Sequence, residues 1–381
     1  MLTKLLGLNT EELRALLRDE GLPSYRGKQI AEWVYRRGAR SVNEMTNLPD
    51  TLRARLGEKY EAGRSQTVAV HRSRDGTAKL LLEMSDGARV ETVGLPYEDR
   101  FSCCVSTQVG CRTGCVFCAT GLSGFTRDLT AGEIVDQVLT VQEAARTEPP
   151  QDGPLLRCAP FLRSAPSRES CGKSLRRESS TRVRQVEKAN IDHVTFMGMG
   201  EPLLNYAETL KAVHLLNSEL GIAMRNLSVS TAGYVPGIRK LALEKLQITL
   251  AVSLHAPDDV LRKQLVPGMT QWSVSELIDA CREYVEQTGR RVTFEYCLLD
   301  GVNDGFTEAR ALAALLRGLN CHVNLIPYNP VPALEFDASP QKSVQAFRDV
   351  LEDAGIQVTQ RVQRGSDIDA ACGQLRRRAA E

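Results

Sequence analysis

From residue 101 onward the chain alternates between short strand-like runs and longer helix-like ones, and nothing else in the sequence constrains the fold as tightly. Apolar runs predict strands over 103–106, 194–197, 227–231, 248–254, 292–298 and 322–327. Helical periodicity predicts helices around 130–145, 206–220, 236–246, 273–288 and 307–317. Strands separated by helices pair in parallel, because only a crossover returns the chain to the same sheet edge. The possible outcomes are a doubly wound sheet or a full or partial barrel. In each of them ligands gather at the C-terminal ends of the strands, and the polar motifs of this chain fall there repeatedly.

The segments around this α/β core read differently. In the first sixty residues Asn9 and Glu12 have capping-box spacing, Leu13, Leu16 and Leu17 form a stripe, and Gly21 with Pro23 ends the helix. A second helix carries Ile30, Trp33 and Val34, and a third Leu52 and Leu56. Residues 1–65 are thus a small helical accessory unit, equally compatible with an RNA-contacting surface and with an ordinary charged exterior. Residues 66–96 change to a period of two around Asp75-Gly76 and Asp86-Gly87, which predicts antiparallel hairpins. The core runs over 97–345, and a C-terminal segment over 346–381. Residues 147–188 have no apolar period and are rich in Arg, Ser and Pro, so they read as a flexible insertion.

The chain is 42% hydrophobic and 25% charged, the composition of an ordinary globular protein. No apolar run is long enough to cross a membrane, and the N-terminus turns charged too early for an export signal. A cytoplasmic location is expected. The net charge of +1 does not by itself announce a nucleic-acid partner, although a local basic patch suffices for one.

Eleven cysteines in a chain without an export signal point to metal or redox chemistry rather than a disulfide framework. Cys281, Cys297 and Cys321 lie in apolar contexts and read as core. Cys158 and Cys171 lack the close pairing of a zinc site. Cys111, Cys115 and Cys118 are different: their C-x3-C-x2-C spacing puts three thiolates on one short loop. Three such ligands can hold three irons of a [4Fe–4S] cube and leave the fourth open to another ligand. Structural zinc wants four ligands, and no further Cys or His lies close by.

This spacing, with Phe117 before the last cysteine, resembles the radical S-adenosylmethionine superfamily. The stretches from Cys104 to Cys111, Gly198-Met-Gly-Glu-Pro202, Ser253-Leu-His-Ala-Pro257 and Gly365 to Gln374 resemble, more narrowly, the RlmN/Cfr family of RNA adenine methyltransferases. The resemblance implies a partial (β/α)6 barrel, a [4Fe–4S] cluster and two S-adenosylmethionine molecules per turnover. It implies cofactor contacts at Gly200, Glu201, Ser230, Ser253, Leu254, His255 and Asn329. Cys372 becomes the methyl carrier, Cys104 the resolving thiol that leaves a Cys104–Cys372 disulfide, and Glu91 the general base. Cys103 and Cys104 point to opposite faces of an extended strand, so only one can serve.

The expected substrate is C2 of an adenosine in 23S ribosomal RNA, with the adenosine beside the tRNA anticodon as a further candidate. A flavodoxin or ferredoxin is the expected electron donor, and the enzyme is expected to be a monomer without a membrane partner. Three other readings remain open at this point: methylation of adenine C8 in the manner of Cfr, a radical activase acting on a protein, and a metal-binding RNA module without catalysis.

Overall fold

The computed structural model describes residues 2–147 and 190–375. In the N-terminal unit, Asn9 Oδ1 accepts from the Glu12 amide at 2.9 Å and Glu12 accepts from the Asn9 amide at 2.7 Å, so the capping box forms as read. It starts the helix Thr10–Asp19, whose Leu13 and Leu17 are fully buried. The helix Arg26–Ala31 runs on into a π turn, Glu32–Arg36, and a third helix spans Asp50–Gly57. The sequence reading missed a strand pair: β1 (Thr3–Lys4) lies parallel to β2 (Tyr60–Glu61) and closes the unit on itself. Two-residue strands carry too little periodicity to detect.

The rest of the chain builds one ten-stranded sheet. It begins with β3 (Gln66–Arg72), β4 (Ala78–Glu83) and β5 (Arg89–Pro96), an antiparallel meander, and β5 pairs antiparallel with β6 (Phe101–Cys104). A separate ribbon follows, β7 (Gln108–Gly110) against β8 (Phe125–Asp128). Then β9 (His193–Phe196), β10 (Leu227–Thr231), β11 (Thr249–Ser253), β12 (Val292–Leu298), β13 (Cys321–Pro327) and β14 (Gln357–Gln360) continue from β6, all parallel. The strand order β14-β13-β12-β11-β10-β9-β6-β5-β4-β3 does not close on itself. This is the partial barrel expected, with two corrections. The hairpin strands are not a separate linker sheet, because β5 hydrogen-bonds directly to the barrel. A seventh parallel strand, β14, lies beyond residue 345, and that boundary cuts through the helix Gln341–Asp353.

The central parallel strands β11 and β12 are buried along most of their length, whereas the edge strand β14 buries only Val358. Val252, Phe294, Tyr296, Val323 and Leu325 lie in one continuous core with the helices that cover them. Cys281 and Cys321 belong to that core, as read. The N-terminal unit is fixed to the barrel by a buried Arg64–Asp136 ion pair and by Lys211–Glu12 at 2.9 Å. The insertion read over 147–188, with Cys158 and Cys171, lies outside the described residues apart from Thr147.

Candidate active site

Cys111, Cys115 and Cys118 do not end a barrel strand. The strand β6 stops at Cys104, and the β7–β8 ribbon presents the cysteine loop beyond it. The ribbon crosses itself tightly. Gly110 has φ +83°, a Cβ there would collide with the Gly124 carbonyl, and the Cys111 amide donates to that same carbonyl at 2.9 Å. Neighbouring elements pin the loop: the Val116 amide donates to Leu265 O at 3.2 Å, and the Gly268 amide to Thr113 O at 2.9 Å. All three cysteines are free and half-buried.

Burial raises the Cys111 thiol and raises Cys115 well above its usual value, and in each case the neighbouring cysteines add to the effect. Thiols of this kind release their protons readily only to a cation. Among the described residues no three Cys, His, Asp or Glu side chains converge on a single-ion position. Thiolates that each cap a different iron of a cube are spread more widely than ligands of one zinc. The donor set fits the cluster.

A shelf for a small cofactor adjoins the loop. Gly200, with φ +103°, packs so closely on Gln108 that a Cβ would lie 2.6 Å from its side chain, so only glycine fits there. The buried Glu201 carboxylate accepts from the Ala232 amide at 2.6 Å and the Leu203 amide at 3.0 Å. Burial nevertheless pushes it up to about 7, a carboxylate short of a cation. Ser230 ends β10 and donates to Phe196 O at 2.7 Å, while Ser253 and Leu254 offer carbonyls to the buried Arg262 guanidinium. Asn329 Nδ2 donates to Cys372 O at 3.1 Å, and its buried Oδ1 has no partner. A buried acceptor without a partner suits an incoming amine or hydroxyl.

His255 is held in the left-handed region at φ +58°. Its Nδ1 accepts from the Cys297 amide at 3.0 Å, which places the proton on Nε2, and Phe117 packs edge-on at 4.8 Å. Burial lowers its pKa to about 3, so the ring is neutral. The fully buried Asn303 holds this turn through His255 O at 2.9 Å, Cys297 O at 2.7 Å and the Leu299 amide at 2.7 Å. Nothing in the sequence pattern singled out Asn303.

The thiol pair meets in a second hollow. Cys104 and Cys372 line one cavity with Val93, Met197 and Arg361. Cys103, on the opposite face of β6, is fully buried against Thr92, as the strand alternation required. The C-terminal segment is stitched to the cysteine loop: the Ala119 amide donates to Gly373 O at 2.7 Å and Thr120 Oγ1 to Leu375 O at 2.6 Å. The expected Cys104–Cys372 disulfide is not formed, and both are free thiols.

Burial and the nearby Cys372 push the Cys104 thiol up to about 11. Arg361, just after β14, faces both sulfurs, and Cys372, Glu295 and Cys104 hold its guanidinium charged more firmly than usual. Cys297, read as plain core, lies within electrostatic reach of both Cys372 and Cys118.

Glu91, expected as the general base, lies on β5. It is buried, its Oε1 lies 3.2 Å from Lys79 Nζ, and its amide donates to Met199 Sδ at 3.5 Å. On β5 it shares a face with Val93, Leu95 and Tyr97, all of which line the thiol cavity. Lys79 also donates to Asp369 O at 3.1 Å, which ties Glu91 to the Cys372 segment. The sequence reading passed over both Lys79 and Arg361. A lysine inside an otherwise apolar strand was the available signal for the first; none marked the second.

Residues 3–62 match the model of the ribosomal RNA large subunit methyltransferase N-terminal domain, and residues 172–313 match that of the radical SAM superfamily. The cysteine loop lies before the second match. A Thermosynechococcus vestitus protein named "Probable dual-specificity RNA methyltransferase RlmN" is 44% identical over 98% of both chains. A Gloeobacter violaceus protein of the same name is 46% identical over 100% of this chain and 97% of its own. The solved structure of a radical SAM methyltransferase from Sphaerobacter thermophilus superposes with a TM-score of 0.85 at 44% identity, covering 98% of this chain and 99% of that one. The chain belongs to the RlmN family of radical S-adenosylmethionine RNA methyltransferases.

Proposed function

We propose that the chain methylates C2 of an adenine in 23S ribosomal RNA, and the adenine beside the tRNA anticodon, through a methyl group carried on Cys372. The observation that carries this reading is the single cavity shared by Cys104 and Cys372, hydrogen-bonded at its base to the loop of Cys111, Cys115 and Cys118. A thiol that is merely alkylated needs no partner, whereas two free thiols facing one cavity suit a covalent carrier and its release through a disulfide. Family membership brings S-adenosylmethionine and a [4Fe–4S] cluster.

Bound to Cys111, Cys115 and Cys118, the cluster supplies the electron that cleaves the cofactor's sulfonium and so yields a carbon radical. Gly200, Glu201, Ser230, Ser253, Leu254, His255 and Asn329 seat the cofactor. Glu201 receives its ammonium group, and the neutral His255 adds no charge beside it. Cys372 has two tasks. Its sulfur would first take the methyl group of one S-adenosylmethionine by displacement, losing its proton as S-adenosylhomocysteine departs. The S-methyl group would then give up a hydrogen atom to the radical derived from a second, its carbon would bond to the adenine, and the unpaired electron of that adduct would return to the cluster, leaving a closed-shell thioether.

Adenine C2 is electron-poor and does not attack a methyl sulfonium itself, which is why a covalent carrier is needed. Glu91 accepts the ring proton. Cys104 attacks the Cys372 sulfur, the bond from that sulfur to the transferred carbon breaks, and the carbon takes up a proton as a methyl group. A Cys104–Cys372 disulfide remains, for a dithiol reductant to reset.

The relatives' shared RlmN name supports C2 over C8. A flavodoxin or ferredoxin as donor, action as a monomer, and a cytoplasmic location complete the proposal. None of the described helices is long and apolar enough to span a membrane. The test is the Cys104→Ala enzyme, incubated anaerobically with S-adenosylmethionine and RNA. It is expected to accumulate a covalent protein–RNA adduct at Cys372. Normal turnover by this variant, or by Cys372→Ala, would contradict the carrier scheme.

A further inference from the structure

At the outer edge of the thiol cavity, the exposed residues Val362 and Gln363 succeed the buried floor of Cys104, Ala371 and Leu375. Val362 is 76% exposed, the largest value among the exposed apolar side chains, yet it lines the cavity. Beside it stands Tyr97, the last cavity-lining residue along its face of β5 and the turn beyond. Two guanidinium groups lie over its ring, Arg100 at 4.3 Å and Arg364 at 4.5 Å from the centroid.

The two arginines are held but not neutralised. Arg364 donates one Nη1 bond to Pro96 O at 3.0 Å, its buried Nε has no acceptor, and it has no carboxylate partner within ion-pair distance. Arg100 is paired only with Asp99, at 3.5 Å, and both are open to solvent. A pair of that kind exchanges readily for a stronger anion.

A base can enter this cavity only if its nucleotide leaves the RNA stack, which brings its ribose-phosphate to the cavity mouth. Arginines pre-oriented by stacking on an aromatic ring are suited to bind phosphate with little further ordering. An exposed valine beside them offers an apolar surface to a displaced neighbouring base. We infer that Tyr97, Arg100, Arg364 and Val362 form the seat for the phosphate and flanking base of the RNA nucleotide whose adenine enters the Cys104–Cys372 cavity. This inference rests on the proposal that the cavity is where RNA is modified.

The test measures binding rather than turnover. A fluorescein-labelled RNA hairpin with an adenosine in its single-stranded loop is titrated with the anaerobically reconstituted full chain, by anisotropy, at several salt concentrations. Arg364→Ala and Arg100→Ala are each expected to weaken binding about tenfold, the effect of one charged hydrogen bond. Each is also expected to flatten the slope of log affinity against log salt by about 0.7. Arg364→Lys keeps the charge and is expected to keep the slope. Arg348→Ala, on the helix Gln341–Asp353, removes a distant surface arginine and is expected to change neither.

Unchanged affinity and slope in both alanine variants would overturn the inference. So would a slope lost equally in Arg364→Lys, because the loss would then be structural. A wild-type chain that failed to bind the hairpin would instead overturn the proposal beneath it, that RNA is modified at this cavity.

Discussion

Replacing Lys79 by methionine examines the buried pair that fixes Glu91. The two side chains are 7% and 6% exposed and lie 3.2 Å apart, so water screens them little. Removing one member of a buried pair costs about 3–5 kcal/mol, because the other charge stays behind without its partner. The lost bond to Asp369 O adds about 1 kcal/mol. Methionine nearly matches the lysine stem in volume, so packing contributes little.

The expected result is a lowered urea midpoint in the apo chain, followed by far-UV circular dichroism and amounting to about 4–6 kcal/mol near neutral pH. Adding Glu91→Gln removes the stranded charge. The double variant is therefore expected to be about 2 kcal/mol more stable than the two single losses summed. In the loaded enzyme kcat should fall more than KM rises, because the role proposed for Glu91 is to take the ring proton rather than to bind. Losses that add to within about 0.5 kcal/mol would refute the ion-pair reasoning.

Further consequences concern the two thiols, the histidine and the ribbon. Because burial and Cys372 push Cys104 up to about 11, its alkylation by iodoacetamide in the apo chain should rise about tenfold per pH unit from pH 7 to 9; a plateau below pH 9 would contradict this. His255 has a folded pKa near 3 against an ordinary 6.5. The unfolded chain therefore binds the extra proton between those values, and the stability that the neutral ring contributes is lost as pH falls from 6.5 toward 3. The His255→Gln variant should be less acid-sensitive over that window, and parallel stability curves for variant and wild type would count against it. Gly110→Ala forces a Cβ into the Gly124 carbonyl at a positive φ, so the reconstituted protein should bind little iron. Full iron content in that variant would show that the ribbon crossing does not shape the cysteine loop.

What was legible in the sequence was local. Cys111, Cys115 and Cys118 announce themselves because their ligand spacing lies within eight residues, and β10 and β12 were placed to the residue because Leu227 and Val229 in one, and Val292, Phe294, Tyr296 and Leu298 in the other, recur with a period of two. Capping at Asn9 was readable for the same reason. Glu91 and Cys372 came only from family resemblance. Their environments arise from contacts far apart in the chain, Lys79 and Asp369 for one, Asn329 and Ala119 for the other. The strand β14 has four residues and only Val358 buried, so its membership of the sheet depends on β13 rather than on its own pattern. Arg361 and Asn303 gain their meaning from the turns they face, which no spacing encodes.

The most direct test of the central claim is mass spectrometry of the modified nucleoside. RNA carrying the target adenosine is incubated anaerobically with reconstituted, reduced enzyme and methyl-deuterated S-adenosylmethionine, then digested. The expected product is labelled 2-methyladenosine, absent when Cys372 is replaced by alanine. Exclusive 8-methyladenosine would contradict the choice of carbon, and labelled 2-methyladenosine from Cys372→Ala would contradict the carrier.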